Sequence, residues 1–266
     1  MVLLTVGAIL LIAGVVLIFV KRHHSGRAFC LKVSRPATVA ELEKMSAEIA
    51  QEIGGGNWRE YVRLSGIVQC DRPLTSQLAQ QPCVHYHMTV RREYEETVVR
   101  RDKDGNEERS TERGSETVAS HEQSTPFMLK DDTGAIAVDP NQAEFETVTV
   151  LDEFRPESPG NFISFGGFSR ALSPPGGNRR TLGYRYQEVI VPVERRVTVV
   201  ATVSDAGNGL TLQRPTESGK QFIISLRNAE ELTKSAERNA KASDLAMKYC
   251  LVGGAVLAIA GLVTGF

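Results

Sequence analysis

The chain has 266 residues, 41% of them hydrophobic and 24% charged, with a formal net charge of -1. A balance so close to zero provides no whole-molecule field to draw in a polyanion, so nucleic acid is not an expected partner. The four cysteines, Cys30, Cys70, Cys83 and Cys250, are scattered without a C-x-x-C pair. That excludes a zinc ribbon or RING within these residues, which needs thiolates clustered at short spacing, and fits a reduced compartment.

The first predicted element is apolar. Val2 to Val20 reads VLLTVGAILLIAGVVLIFV, uncharged and about long enough to cross a hydrocarbon core of ~30 Å as a helix. It has no basic n-region or A-x-A site and runs directly into Lys21-Arg22-His23-His24. A retained anchor over residues 1–21 is therefore expected rather than a signal peptide. Residues 37–54 follow as a short amphipathic helix. Thr38 with Glu41 forms a capping box, Leu42, Met45, Ile49 and Ile53 recur at helical spacing, and Gly54-Gly55-Gly56 ends the run. The polar face is acidic, so the apolar stripe is expected to pack on the neighbouring domain rather than on anionic lipid.

From Tyr61 the sequence takes on strand character, with about eight short β-branched and aromatic runs bounded by Gly, Pro, Asp and Asn. Residues 58–227 are read as one β-rich domain, an antiparallel barrel or sandwich. Two insertions interrupt it. Residues 100–123 are nearly all charged or polar around Asp104-Gly105 and read as a long solvated hairpin or mobile loop. Residues 155–182 are rich in Pro and Gly yet carry Phe162, Phe165 and Phe168. These aromatics either cover the barrel end or dock on a partner, and they are the residues chosen here for partner contact.

Residues 228–266 read as one helix. Asn228 with Glu231 starts it, and it continues into the uncharged segment Tyr249 to Phe266 as a second anchor. Lys21, Arg22, Arg27 and Lys32 follow the first apolar segment, and Lys234, Arg238, Lys241 and Lys248 precede the second. Positive-inside asymmetry then predicts two spans with the domain between them cytoplasmic.

Two clusters raise the question of chemistry. Asp132-Thr133-Gly134-Ala135 spells the tetrad of aspartic proteases, in which paired aspartates share a proton. The residues before it, Leu129-Lys130-Asp131, carry two charges where a buried strand would be required. Phe127 and Leu129 alternate before it and Ile136 and Val138 after it, which makes it a turn between two strands. Cys83, His85 and His87 alternate along one strand, as a metal pair would, but no further ligand is linked to them by spacing. No G-x-S-x-G, Walker A or Rossmann pattern is present.

The order of several short motifs carries a resemblance. Leu64-Ser65-Gly66-Ile67-Val68, Pro82-Cys83-Val84-His85-Tyr86, Pro126-Phe127-Met128-Leu129-Lys130-Asp131-Asp132-Thr133-Gly134 and Gly183-Tyr184-Arg185-Tyr186-Gln187-Glu188 succeed one another. Together they resemble the GIDE or BAM ("beside a membrane") domain of the membrane-anchored RING-type ubiquitin ligases of mitochondria and chloroplast envelopes. The ligases of that family continue into a cysteine-rich RING, whereas this sequence stops at Phe266. The resemblance thus implies a RING-less member of bacterial type, cyanobacteria included, in which the partner-sensing domain carries over and the ligase activity does not. It also implies structural roles for Gly66, Pro82, Cys83, Phe127, Asp132, Gly134, Gly183, Tyr184, Tyr186 and Glu188. The strand pattern is similar to an oligonucleotide-binding (OB) barrel as well, without the one-signed basic groove that a nucleic-acid ligand requires.

The expected protein is mainly β. It has an OB-like antiparallel barrel flanked by two transmembrane helices, one short amphipathic helix and a long C-terminal helix, in a bacterial plasma or thylakoid membrane. It would act as a non-enzymatic adaptor or accessory factor for another membrane protein or complex, with no cofactor, metal or small-molecule substrate. The alternatives are a transferase activity near Cys83, His85 and His87 or through a partner's RING, and lipid sensing at the membrane surface.

Overall fold

A computed structural model describes residues 2–101, 107–156, 162–172, 176, 178–207 and 209–264. The first half of the chain forms α1 (Val2–Val33), β1 (Arg35–Pro36), α2 (Val39–Ile53), β2 (Arg59–Gln69), β3 (Leu74–Thr75), β4 (Pro82–Arg101), β5 (Glu107–Ser124), β6 (Phe127–Lys130) and β7 (Ala135–Val138). The second half forms β8 (Glu144–Phe145), β9 (Val148–Pro156), β10 (Phe162–Phe165), β11 (Phe168–Ala171), β12 (Arg179–Pro192), β13 (Arg196–Gly207), β14 (Gly209–Gln213), β15 (Ile223–Ser225) and α3 (Ala229–Thr264).

Five strands close into a barrel in the order β2-β6-β7-β14-β13, with β13 pairing back to β2. Counted along the chain, these strands run 1-2-3-5-4 and return to 1, so the expected barrel is closed by five strands. The expectation of an antiparallel barrel needs one correction, because β7 and β14 are parallel, through Thr211↔Ala137 and Leu212↔Val138. A parallel pair demands a long crossover between its strands, and the chain from β8 to β13 supplies it.

β13 shows how sequence specifies this position. Its RVTVVATVSDAG is buried from Val197 to Ser204 without alternation. Val197, Val199, Ala201 and Val203 point into the barrel core with Val62, Leu64, Leu129, Ile136 and Leu212. Val200 points the other way, into a second cluster with Ala28, Leu31, Ile223, Leu232 and Ala236. A strand covered on both faces reads as a continuous apolar run.

α2 plugs one end of the barrel with Val39 and Leu42. The capping box is present, since Glu41 N donates to Thr38 Oγ1 and Thr38 N donates to Glu41 Oε2. The β6–β7 turn holds this helix in place. Asp131 Oδ1 accepts from the Thr133 and Gly134 amides and from the Thr133 hydroxyl, at 2.7, 2.9 and 2.7 Å. Its other oxygen accepts from Val39 N at 2.9 Å, and Thr133 Oγ1 accepts from Ala40 N at 3.1 Å. Burial alone would raise the Asp131 carboxyl, but these donors outweigh it and hold the group below the usual carboxylate range. The D-T-G segment is thus a turn that docks a helix. Its organising carboxylate is Asp131, while Asp132 is exposed. Gly134 is required by close approach, since a Cβ there would lie 2.9 Å from Val39 Cγ1.

Both long barrel insertions fold into a single second sheet, β5-β4-β12-β9, with β3 on the same edge of β4 as β5. The described residues of the polar segment 100–123 form the end of β4 and nearly all of β5, in a ribbon paired from His85↔Ser124 to Arg101↔Glu107. Asp104 and Gly105 lie outside the described residues.

α1 and α3 pack side by side in opposite directions. Ala28 and Leu31 meet Leu232 and Ala236, and Lys32 pairs with Glu237 at 2.8 Å. This corrects the expected membrane placement. The apolar terminal segments are parts of longer helices, whose charged residues all lie in the remaining stretches, from Lys21 to Val33 in α1 and from Ala229 to Lys248 in α3. Among the described residues no helix is long and apolar enough to cross a membrane. The two-span integral protein with a cytoplasmic domain in a plasma or thylakoid membrane is therefore overturned.

Candidate interaction surface on the second sheet

The second sheet has one apolar face, built by cross-strand pairs of β4 and β12: Tyr86↔Ile190, Met88↔Glu188 and Val90↔Tyr186. Tyr86, Met88, Val90, Tyr184, Tyr186 and Ile190 are all buried. Glu188 lies fully buried among them. A carboxylate in such a place needs donors. It has two, Leu78 N to Oε1 at 2.9 Å and Ala79 N to Oε2 at 2.7 Å. Glu188 therefore pins the loop between β3 and β4 onto the sheet. That loop is closed on itself by Ser76 N donating to Gln81 O and by Gln81 N donating to Ser76 Oγ.

The aromatic segment rests on this loop. The expectation of a loop over 155–182 gives way to a hairpin in its described part, β10 with β11, paired Phe162↔Ala171 through Phe165↔Phe168. Its turn is Gly166-Gly167, and Gly167 N donates to Gln77 O at 2.7 Å. Gly166 has φ +55 and lies so close to the loop that a Cβ would sit 2.2 Å from Leu78 O. Glycine alone meets both demands. A chain of contacts thus runs from the sheet through Glu188, the loop and the two glycines to the hairpin.

The three aromatics separate by strand alternation. Phe165 faces the sheet, with its ring 4.8 Å from that of Tyr186 and the Arg155 guanidinium 4.0 Å over it. Phe168 packs against the same cluster, around buried Ile163 and Leu78. Phe162 points away and is 60% exposed. The structure therefore assembles the predicted trio on one hairpin but leaves only Phe162 free to touch another molecule. Burial of Tyr186 pushes its hydroxyl pKa upward, with the Arg155 charge opposing.

The remaining motif residues fall elsewhere. Pro82 opens β4 opposite Thr75. Gly183 sits at a register shift in β12, against Arg155 O and the Phe154 ring. Gly66 and Phe127 belong to the barrel, Gly66 passing so near β6 that a Cβ would be 2.6 Å from Lys130 O.

Cys83, His85 and His87 do not share a face. The pairs Val191↔His85 and Pro192↔Cys83 leave Val84 as an extra residue, and this bulge breaks the alternation. Cys83 joins Tyr86 and Ile190, whereas His85 stacks on Phe145 at 3.7 Å between ring centroids. Burial, with the Glu188 charge behind it, pushes the Cys83 thiol up to about 11, so it is a protonated thiol near neutral pH. Burial, aided by His87, lowers His85 to about 4 and keeps that ring neutral. Among the described residues no group of three His, Cys, Asp or Glu is placed to hold a metal ion.

Sequence reasoning missed the roles of Asp131, of the Ser76–Gln81 loop and of Gly166-Gly167. The last had a signal, because a Gly-Gly pair between Phe165 and Phe168 is a two-residue hairpin pattern.

The sequence model of the GIDE family, described as E3 ubiquitin ligase, matches residues 95–259, more than half of the chain. The matched stretch contains Phe127, Asp132, Gly134, Gly183, Tyr184, Tyr186 and Glu188, and Gly66, Pro82 and Cys83 precede it. No curated protein matches the chain, and no solved structure does.

Proposed function

The chain belongs to the GIDE family, and from that premise we propose that it is a non-enzymatic partner-binding module, an adaptor or accessory factor related to ubiquitin ligases. In this reading the β10–β11 hairpin is the contact surface. The observation that carries it is Phe162, a large aromatic held 60% exposed on a hairpin whose turn is clamped to the loop between β3 and β4. An aromatic presented on rigid backbone loses little freedom on binding and acts as an anchor.

The test is co-purification of the full chain with its partners, compared with Phe162→Ser. Loss of a stoichiometric partner with an unchanged melting curve is the expected result, since hot-spot aromatics cost about 2 kcal/mol or more of binding when truncated. Unchanged recovery of every partner rejects the hairpin as the contact.

The family description favours a second reading, participation in ubiquitin transfer. A ubiquitin-transfer assay of the full chain distinguishes the two, since Cys83 is buried and protonated and offers no available nucleophile. Transfer that the full chain supports and that survives Phe162→Ser would displace the adaptor reading.

A further inference from the structure

A groove of about 630 Å3 lies between α2 and the barrel and shares no lining residue with the hairpin surface. This size falls within the usual range of ligand sites. Ala47 and Ala50 of α2 form one wall, and Met128 of β6, Ala135 and Ala137 of β7 and Leu210 of β14 form the other. Three features of the groove point to the same kind of occupant.

The first is the seam between β7 and β14. Their ladder covers Ala137 and Val138 with Thr211 and Leu212. Just before it, Ala135 pairs with Lys130 of β6 and Gly209 with Gly207 of β13, but among the described residues the two do not pair with each other, and both line the groove. Backbone that is not paired across a seam offers donors and acceptors to an extended peptide, which is how strand addition works. The second is the apolar wall, where small Ala47 and Ala50 leave room for one aliphatic side chain. The third is charge. α2 carries Glu41, Glu43, Glu48 and Glu52 against the single Lys44. Asp205 in the groove is already taken by the Gly56 and Trp58 amides, both at 2.9 Å. Glu43 is exposed at the groove with no hydrogen-bond or ion-pair partner among the described residues.

We infer that this groove receives an extended segment of a partner protein in which an aliphatic residue is followed by a lysine or arginine. The segment's backbone lies along the open end of the β7/β14 seam. Its aliphatic side chain enters between Ala47, Ala50 and Met128, and its cation meets Glu43. The inference does not depend on the hairpin reading, and either can fail alone.

The probe is the peptide Ac-Thr-Val-Leu-Lys-Val-Thr-NH2, titrated into the methyl-labelled full chain and followed by NMR, beside the same peptide with glutamate in place of lysine. Saturable shifts of the Ala47, Ala50 and Met128 methyls are expected, with the glutamate peptide about threefold weaker, the size of an exposed ion pair. Glu43→Lys should reverse that preference. Ala47→Phe, which fills the wall from an exposed helix position, should weaken both peptides about tenfold or more without changing the melting temperature. No shift at these methyls, equal binding of the two peptides, or binding indifferent to Ala47→Phe overturns the inference.

Discussion

Every strand of the barrel ring has a neighbour on each side, whereas in the second sheet β5 pairs only with β4 and β9 only with β12 among the described residues. Among the described residues the barrel core is aliphatic and aromatic, without a buried charge. The second sheet holds a buried carboxylate at Glu188 and a buried guanidinium at Arg92, paired with Glu116 at 3.0 Å. Its outer ribbon is laced with ion pairs, such as Arg113 and Arg180 on Glu95 at 3.1 and 3.0 Å. Exposed pairs of this kind contribute little stability, on the order of 0–1 kcal/mol each. A closed ring removes edges and maximises burial, while an open sheet keeps edges and polar faces that another molecule can meet. The contrast places the closed core in the barrel and the open, polar edges in the second sheet.

Core truncation should break the contrast most strongly. Leu129→Ala, at a fully buried barrel position, should cost about 2–5 kcal/mol of unfolding free energy in a urea titration. A loss under 1 kcal/mol would mean that the barrel is not the stability core. Glu188→Gln comes next. Replacing the carboxylate by an amide weakens one of its two backbone contacts and should cost about 1–3 kcal/mol. Hydrogen exchange should quicken at Leu78, Ala79 and Gly167 and stay unchanged in β13. Exchange that quickened equally in both sheets would erase the distinction between them.

Acid supplies a subtler probe at the junction of the two regions, where β4 His85 stacks on β8 Phe145. His85 is lowered from an ordinary 6.5 to about 4, so between those values the unfolded chain binds a proton that the folded chain refuses. Stability should be level above about pH 6.5 and decline as pH falls toward 4. Asp131 acts lower on the scale. Its carboxyl is depressed below an ordinary 3.8, so its contribution is present above that value and is lost as pH falls through the folded one. Midpoints measured against pH for the wild type and His85→Leu should differ in slope within the histidine window. Parallel curves would remove His85 as the cause. The smallest effect on stability belongs to Phe162→Ala, within about 0.5 kcal/mol for an exposed site. A larger loss would make Phe162 a packing residue rather than a contact.

Local pattern settled much of this molecule. The capping box of Thr38 and Glu41, the turn at Asp131–Gly134, the apolar run of β13 and the family motifs all depend on neighbours a few residues apart, where side-chain chemistry dictates geometry. Strand alternation states which face a residue takes but not which strand will lie beside it. Closure of β13 onto β2, the parallel seam of β7 and β14 and the merging of two insertions into one sheet were therefore decided only by the tertiary structure. So was the bulge at Val84 that parts Cys83 from His85, because an extra residue in a ladder exists only relative to its partner strand. The terminal helices follow the same rule. Their hydropathy was visible in the letters, but helix-on-helix packing through Ala28, Leu31, Leu232 and Ala236 depends on two segments about two hundred residues apart meeting in space.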